Sequence, residues 1–203
     1  MEPSGRKRWS LLLMTILVEG NLGVLAWLLG WLLDQPPLSG WRWDSRDAFL
    51  GLVAGLPLLL MLVVFLRWPI GPLKRIEQFS RTVVGPMFGS SSVLELLLIC
   101  ALAGMGEEMF FRGFLQGFLG RHLGLWPALA LASIIFGLVH LITPTYALLA
   151  TLMGAYFGWL WLWTGTLLVP VIAHAVYDFV ALLVLTRGGA DKVSGEWVGI
   201  GRS

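Results

Sequence analysis

Cysteine is nearly missing from this chain. Cys100 is the only one, so no intrachain disulfide can form and the redox compartment stays open. Charge is scarce as well. Asp, Glu, Lys and Arg make up 13% of the 203 residues, against about 25% in a typical soluble domain. The formal balance of +2 is too small to point to nucleic-acid binding. No internal repeat stands out, and nothing marks a second domain.

What the chain has in excess is apolar surface. Hydrophobic residues make up 57% of it, more than a soluble protein of this size can hide. A bilayer accepts that surface, because lipid replaces water as the solvent. About 20 apolar residues cross a hydrocarbon core of about 30 Å. The sequence therefore reads as one all-α, polytopic membrane domain over 1–203, a bundle of about six helices around an intramembrane cavity.

The six spans are expected near 9–33, 48–66, 93–119, 126–142, 146–163 and 167–185. The first is too long for a signal-peptide core and no clear small-residue cleavage site follows it, so it reads as a retained span. Residues 67–92 read as an amphipathic helix at the interface or as a cytoplasmic loop. A Gly-rich polar tail begins at Arg187. With the N-terminus inside, Arg6, Lys7, Arg8, Arg67, Lys74, Arg75, Arg81, Arg187, Lys192 and Arg202 face the cytoplasm, against Arg42, Arg46 and Arg121 outside. That asymmetry places both termini in the cytoplasm. The setting is expected to be the bacterial inner (plasma) membrane, with lipid as the surroundings. Gly51/Gly55, Gly113/Gly117 and Gly154/Gly158 are spaced for close helix packing.

Against this background a few charges stand out. Glu107, Glu108 and Arg112 fall within the third span, where each costs a few kcal/mol. Glu108 and Arg112 are four residues apart and share a helix face, so they can pair. Glu107 is turned about 100° away and needs a partner from another helix. His140, near the end of the fourth span, and His174, within the sixth, are the candidates. Asp178 lies one turn from His174 on the same face. Counted from the outer span ends, the depths of Glu107, His140 and His174 agree to about 10 Å. One common site can then be formed. A carboxylate and imidazoles in a dry cavity can hold and deprotonate a water. The same groups can ligate a divalent metal such as zinc that keeps an open position for water. Both readings lead to hydrolysis.

At these residues the sequence resembles the CAAX protease and bacteriocin-processing (CPBP/Abi) family of intramembrane peptidases. The motifs that carry the resemblance are Glu107-Glu108-x-x-x-Arg112, Phe136-x-x-x-His140 and His174-x-x-x-Asp178, in that order, over a catalytic core of 93–185. The resemblance implies that Glu107 and His140 activate water, that Glu108 with Arg112 supports the site, and that His174 and Asp178 polarise the scissile carbonyl or complete a metal site. It implies a membrane-associated or prenyl-like peptide substrate. Family members include both metal-dependent and glutamate-dependent enzymes. Asp178 stands where prenyl-protein peptidases of the family often carry asparagine, and an ionised aspartate cannot donate to an oxyanion. This favours orienting His174 or binding metal.

Other polar residues are set apart. Glu19 and Asn21 read as packing residues of the first span or as part of a substrate path, with packing preferred. Glu95 reaches headgroups without an assigned role, and His122 belongs to a short outer loop. Pro170 is expected to kink the sixth span near His174 or to free a carbonyl there. Two other classes compete with the peptidase. One is a non-catalytic membrane partner, such as an immunity or scaffold protein. The other is a small proton-coupled transporter, disfavoured by the lack of paired broken helices or repeat symmetry. A lipid phosphatase is set aside because no basic phosphate-binding motif accompanies His174 and Asp178.

Overall fold

The computed structural model describes residues 3–187, less the side chains of residues 3–8, 11 and 12. Lys192 and Arg202, with the tail beyond Arg187, lie outside the described residues, as do the side chains of Arg6, Lys7 and Arg8. Every regular element among the described residues is helical. Seven helical segments follow one another: α1 (Pro3–Leu32), α2 (Ser45–Arg67), α3 (Leu73–Phe88), α4 (Val93–Leu123), α5 (Leu125–Val139), α6 (Pro144–Thr164) and α7 (Leu168–Arg187).

The helix starts follow from their caps. Ser92 and Glu95 form a reciprocal capping box at the head of α4, with Ser92 N–H donating to Glu95 Oε2 at 2.6 Å and Glu95 N–H to Ser92 Oγ at 3.3 Å. Glu95 thus closes a helix start, which is what a Ser-x-x-Glu sequence favours. Thr143 caps α6 by accepting from Tyr146 N–H at 3.1 Å, with Pro144 at the first helical position. At the far end of α1, Arg121 donates to the Leu33 and Asp34 carbonyls at 2.7 and 2.6 Å, satisfying acceptors that the helix end leaves open.

Among the described residues, four helices are long and apolar enough to cross a membrane: Leu13–Leu32 within α1, and α2, α6 and α7. A fifth is reached if α3 and α4, bent by 116° at their junction, count together as one broken span. The expected count of six is therefore not reached on length and composition, because α5 has only 15 residues. The stretch 67–92 is mainly helical, and Ile76 is its buried anchor. α4 runs past the expected end at 119 through Leu123, so His122 sits on a helical turn against Phe118, with ring centroids 4.7 Å apart, and not in a loop.

The outward faces of α1 and α2 carry exposed Leu13, Trp27, Leu28, Phe49, Leu52 and Leu60. In water such faces would be unstable, whereas in lipid they are ordinary. This is an integral membrane protein. Inside, α4 and α7 pack together, with α1 against α4, α2 against α7, and α5 against α6. Leu58, Phe157, Leu160, Val169 and Ala173 form one core cluster, and Phe111, Phe136 and Ala150 form another. Pro170 sits at the third residue of α7, in its first turn. An amide there has no helical acceptor anyway, so Pro170 starts the helix and does not kink it near His174.

α1 approaches α4 closely at Gly106. A Cβ on Gly106 would lie 2.5 Å from the Glu19 carbonyl oxygen, whereas one on Gly20 would meet nothing within 4 Å. Gly106→Ala is therefore expected to cost about 1–3 kcal/mol by forcing α1 away. Gly20→Ala should be neutral or stabilising by up to about 1 kcal/mol through helix propensity. Thermal unfolding of the two variants in detergent checks the contrast; equal melting temperatures would mean that α1 does not pack here.

Candidate active site

The site is built on α4. Its α-helical part ends at Glu108, and Met109–Gln116 continues as a π-helix. The wider winding shows in the Gly117 amide, which donates to the carbonyl of Arg112 five residues back. Inserted π turns re-aim the side chains around them, and they recur at functional sites. Here the two adjacent acids point to different partners.

Glu108 faces inward and is fully buried. Arg112 Nη1 donates to its Oε1 at 2.8 Å, and their side chains are 1% and 0% exposed. Removing both charges from water costs several kcal/mol per ion unless other hydrogen bonds help. Two such bonds are in place. Arg112 Nη2 donates to the Gly154 carbonyl at 3.0 Å, and His174 Nδ1 lies 2.8 Å from Glu108 Oε1. Gly154 admits the guanidinium because it has no side chain: a Cβ there would stand 3.3 Å from Arg112 Nη2 and 3.2 Å from Phe136 Cδ1. Gln116, one turn further, donates in the same way to the Gly158 carbonyl at 3.3 Å. The Gly154/Gly158 pair thus serves polar side chains as well as packing. The guanidinium also lies over the Phe136 ring, 4.5 Å from its centroid, a favourable cation–π contact.

Glu107 faces the other way. Its Oε2 lies 3.8 Å from His140 Nε2 and 3.9 Å from His174 Nε2. That buried oxygen takes no hydrogen bond among the described residues. The separations are too long for direct hydrogen bonds, and at such separations a bridging water is the natural question. His140 follows the last residue of α5, and its Nδ1 lies 2.7 Å from the Phe136 carbonyl. A carbonyl only accepts, so in the neutral ring Nδ1 carries the proton and Nε2 presents a lone pair towards Glu107. His174 stacks on Phe157 with centroids 4.8 Å apart and an interplanar angle of 13°. Its Nε2 lies 3.3 Å from Asp178 Oδ2. Glu107, His140, His174 and Asp178 all line one cavity of about 260 Å³. Apart from Tyr146 and Tyr177, its remaining wall is largely apolar, and much of it comes from the end of α2 and from α3, including Phe65, Trp68 and Ile76.

The donor types here are those of a zinc site. Among the described residues, however, no three His, Cys, Asp or Glu side chains are arranged to hold a metal ion.

Residues 89–180 match the family model described as type II CAAX prenyl endopeptidase Rce1-like. That segment, less than half of the chain, is similar to that family. A stretch of 97 residues is also 34% identical to YpbD of Bacillus subtilis (strain 168), described only as an uncharacterized protein. The match covers 46% of this chain and 47% of that relative, so the chain spans about half of its length. No solved structure matches the chain.

All seven residues named in the three motifs lie within the matched segment. Other parts of the surroundings do not. The α2 and α3 walls of the cavity precede it. So does Glu19 of α1, which is within electrostatic reach of Glu107, His174, Asp178 and His140. Glu19 Oε2 is buried and has no hydrogen-bond partner among the described residues. From its place in the first span, Glu19 is expected to serve helix packing in preference to a substrate path. Its backbone does pack there, on Gly106, but its carboxyl belongs to the polar centre. The available signal was the cost of any acid in an apolar span; nothing in the local pattern said which face it would take. Tyr146 and Tyr177 also line the cavity and were not singled out.

Breaking the inner pair should cost more than any surface change. Arg112→Met leaves Glu108 as a buried charge without a counterion and is expected to lose about 3–5 kcal/mol. The double change Glu108→Leu with Arg112→Met should recover part of that loss. Unfolding in detergent reads both, and an unchanged melting temperature for Arg112→Met would contradict the buried pair.

Proposed function

We propose that this chain is an intramembrane endopeptidase that hydrolyses peptide bonds of membrane-associated, prenyl-like peptide substrates with a water activated by Glu107 and His140. The observation that carries this reading is the unpartnered Glu107 Oε2 facing two imidazole nitrogens across 3.8 and 3.9 Å in a largely apolar cavity. The Rce1-like match over 89–180 supports the class of reaction.

The chemistry follows from which atoms accept. A water between Glu107 and His140 Nε2 meets two acceptors and can donate a hydrogen to each. Its lone pair is then free to attack a carbonyl carbon. Glu107 takes the proton as the carbon–oxygen bond forms. The carbonyl π electrons move to oxygen, giving a tetrahedral oxyanion. As this collapses, the carbon–nitrogen bond breaks and the leaving amine takes the proton from Glu107. Glu108, held by Arg112, fixes His174 through Nδ1, and Asp178 meets the other ring nitrogen.

In this reading both termini face the cytoplasm of a bacterial inner membrane, and the α2 and α3 wall receives the peptide from that side. Lys74, Arg75 and Arg81 of α3 suit anionic headgroups.

Purified protein incubated with a membrane-peptide library, with and without chelator, tests the proposal. Glu107→Gln is expected to lose about 100-fold or more in turnover while keeping its melting temperature. Cleavage lost in the variant but indifferent to chelator identifies the metal-free route, and cleavage lost to chelator identifies the metal-dependent one. Unchanged cleavage in Glu107→Gln would sink the mechanism.

A further inference from the structure

Hydrolysis of an amide needs a hydrogen-bond donor for the oxygen on which negative charge develops, and such donors account for much of the rate of acyl transfer. Most donors near Glu107 are already engaged. Arg112 is held by Glu108 and the Gly154 carbonyl and is 1% exposed. His140 Nδ1 is held by the Phe136 carbonyl. His174 is held by Glu108 at one nitrogen and meets Asp178 at the other. Asp178, when ionised, only accepts.

Apart from the indole of Trp68, which is largely exposed at the rim, two groups are left. Of the three tyrosines in the chain, Tyr156 donates its hydroxyl to the Ala54 carbonyl at 2.9 Å. Tyr146 and Tyr177 line the catalytic cavity, and neither hydroxyl bonds to another described residue. Tyr146 is the nearer to the reacting centre. Its ring centroid lies 6.4 Å from that of His140, and it is within electrostatic reach of both Glu107 and Asp178. Tyr177 is in reach of Asp178 and Tyr146. Tyr146 is also well fixed, since its amide is bound by Thr143 Oγ1 in the first turn of α6.

We infer that Tyr146 is a catalytic residue whose hydroxyl donates a hydrogen bond to the carbonyl oxygen of the scissile peptide as the tetrahedral oxyanion forms. The inference rests on the hydrolytic reading above. The tyrosine keeps its proton throughout: it strengthens one hydrogen bond as charge builds on the substrate oxygen and relaxes it when the intermediate collapses.

The test uses the full-length protein in detergent and the quenched membrane peptide that the wild type cleaves fastest. Tyr146→Phe keeps the ring and removes the donor. Its kcat should fall about 100-fold or more, with KM within about twofold and an unchanged melting temperature. Tyr156→Phe, whose hydroxyl lies on a backbone carbonyl outside the cavity, should keep its kcat. A Tyr146→Phe kcat within about threefold of wild type overturns the inference, as does a loss expressed only in KM. Should that variant not fold, 3,5-difluorotyrosine at position 146 decides. It retains the hydroxyl with a more acidic proton, so the alkaline limb of the kcat profile should move to lower pH, and an unmoved limb overturns the inference. If Glu107→Gln cleaves as well as wild type, or the wild type cleaves no peptide, the hydrolytic reading fails and this inference falls with it. If dependence on Glu107 stands while Tyr146→Phe is unaffected, the assignment of Tyr146 alone fails.

Discussion

A buried ion pair that can be tolerated only with hydrogen bonds from other helices sets the rest of this structure. Glu108 and Arg112 sit in the middle of an apolar bundle with almost no exposure. Their mutual attraction does not by itself cover the loss of hydration. The deficit is met by a carbonyl from α6 and an imidazole from α7. Three helices are thereby tied to one point. Helix approach at Gly154, the stacking of His174 on Phe157 and the placing of Arg112 over Phe136 all serve that arrangement. The pair is expensive as an isolated element and useful as a junction.

From that junction the proposed chemistry gains its geometry. His174 is oriented by Glu108 at one nitrogen, so its other nitrogen faces Glu107 and Asp178. Glu107 is adjacent in sequence to Glu108 and turned to the opposite side, towards His140. Glu108 Oε1 meets both Arg112 and His174, whereas Glu107 takes no direct hydrogen bond from either imidazole it faces; the Oε2 of each acid is buried without a partner among the described residues. In the proposed reading this is a division of labour, with the ion-paired acid holding the site and the other, facing His140, reacting.

Much of this was legible in the sequence, for identifiable reasons. Apolar length made the membrane class evident, and the i,i+4 spacings predicted the Glu108–Arg112 and His174–Asp178 contacts, because helix geometry fixes them locally. The Ser92-x-x-Glu95 start of α4 lay near the expected boundary at 93. The span count was less legible. A 15-residue α5 and an α4 that bends sharply from α3 do not follow the uniform length that hydropathy assumes. His122 and Pro170 were misplaced because each lies within a few residues of a helix end, where local propensity says little. Glu19, Tyr146 and Tyr177 were missed as parts of the centre for a different cause. Their positions depend on how whole helices rotate and approach, as α1 does at Gly106, and no short pattern encodes that.

The central claim is that Glu107 and His140 act together on one water across a 3.8 Å gap. A kinetic double-mutant cycle with Glu107→Gln, His140→Gln and the double variant tests it most directly, reading kcat on a single membrane peptide. Residues that act as a unit show grossly non-additive losses, so the double variant should be about as impaired as the worse single variant. Losses that multiply would contradict the account, since they would mean that the two residues act on separate steps.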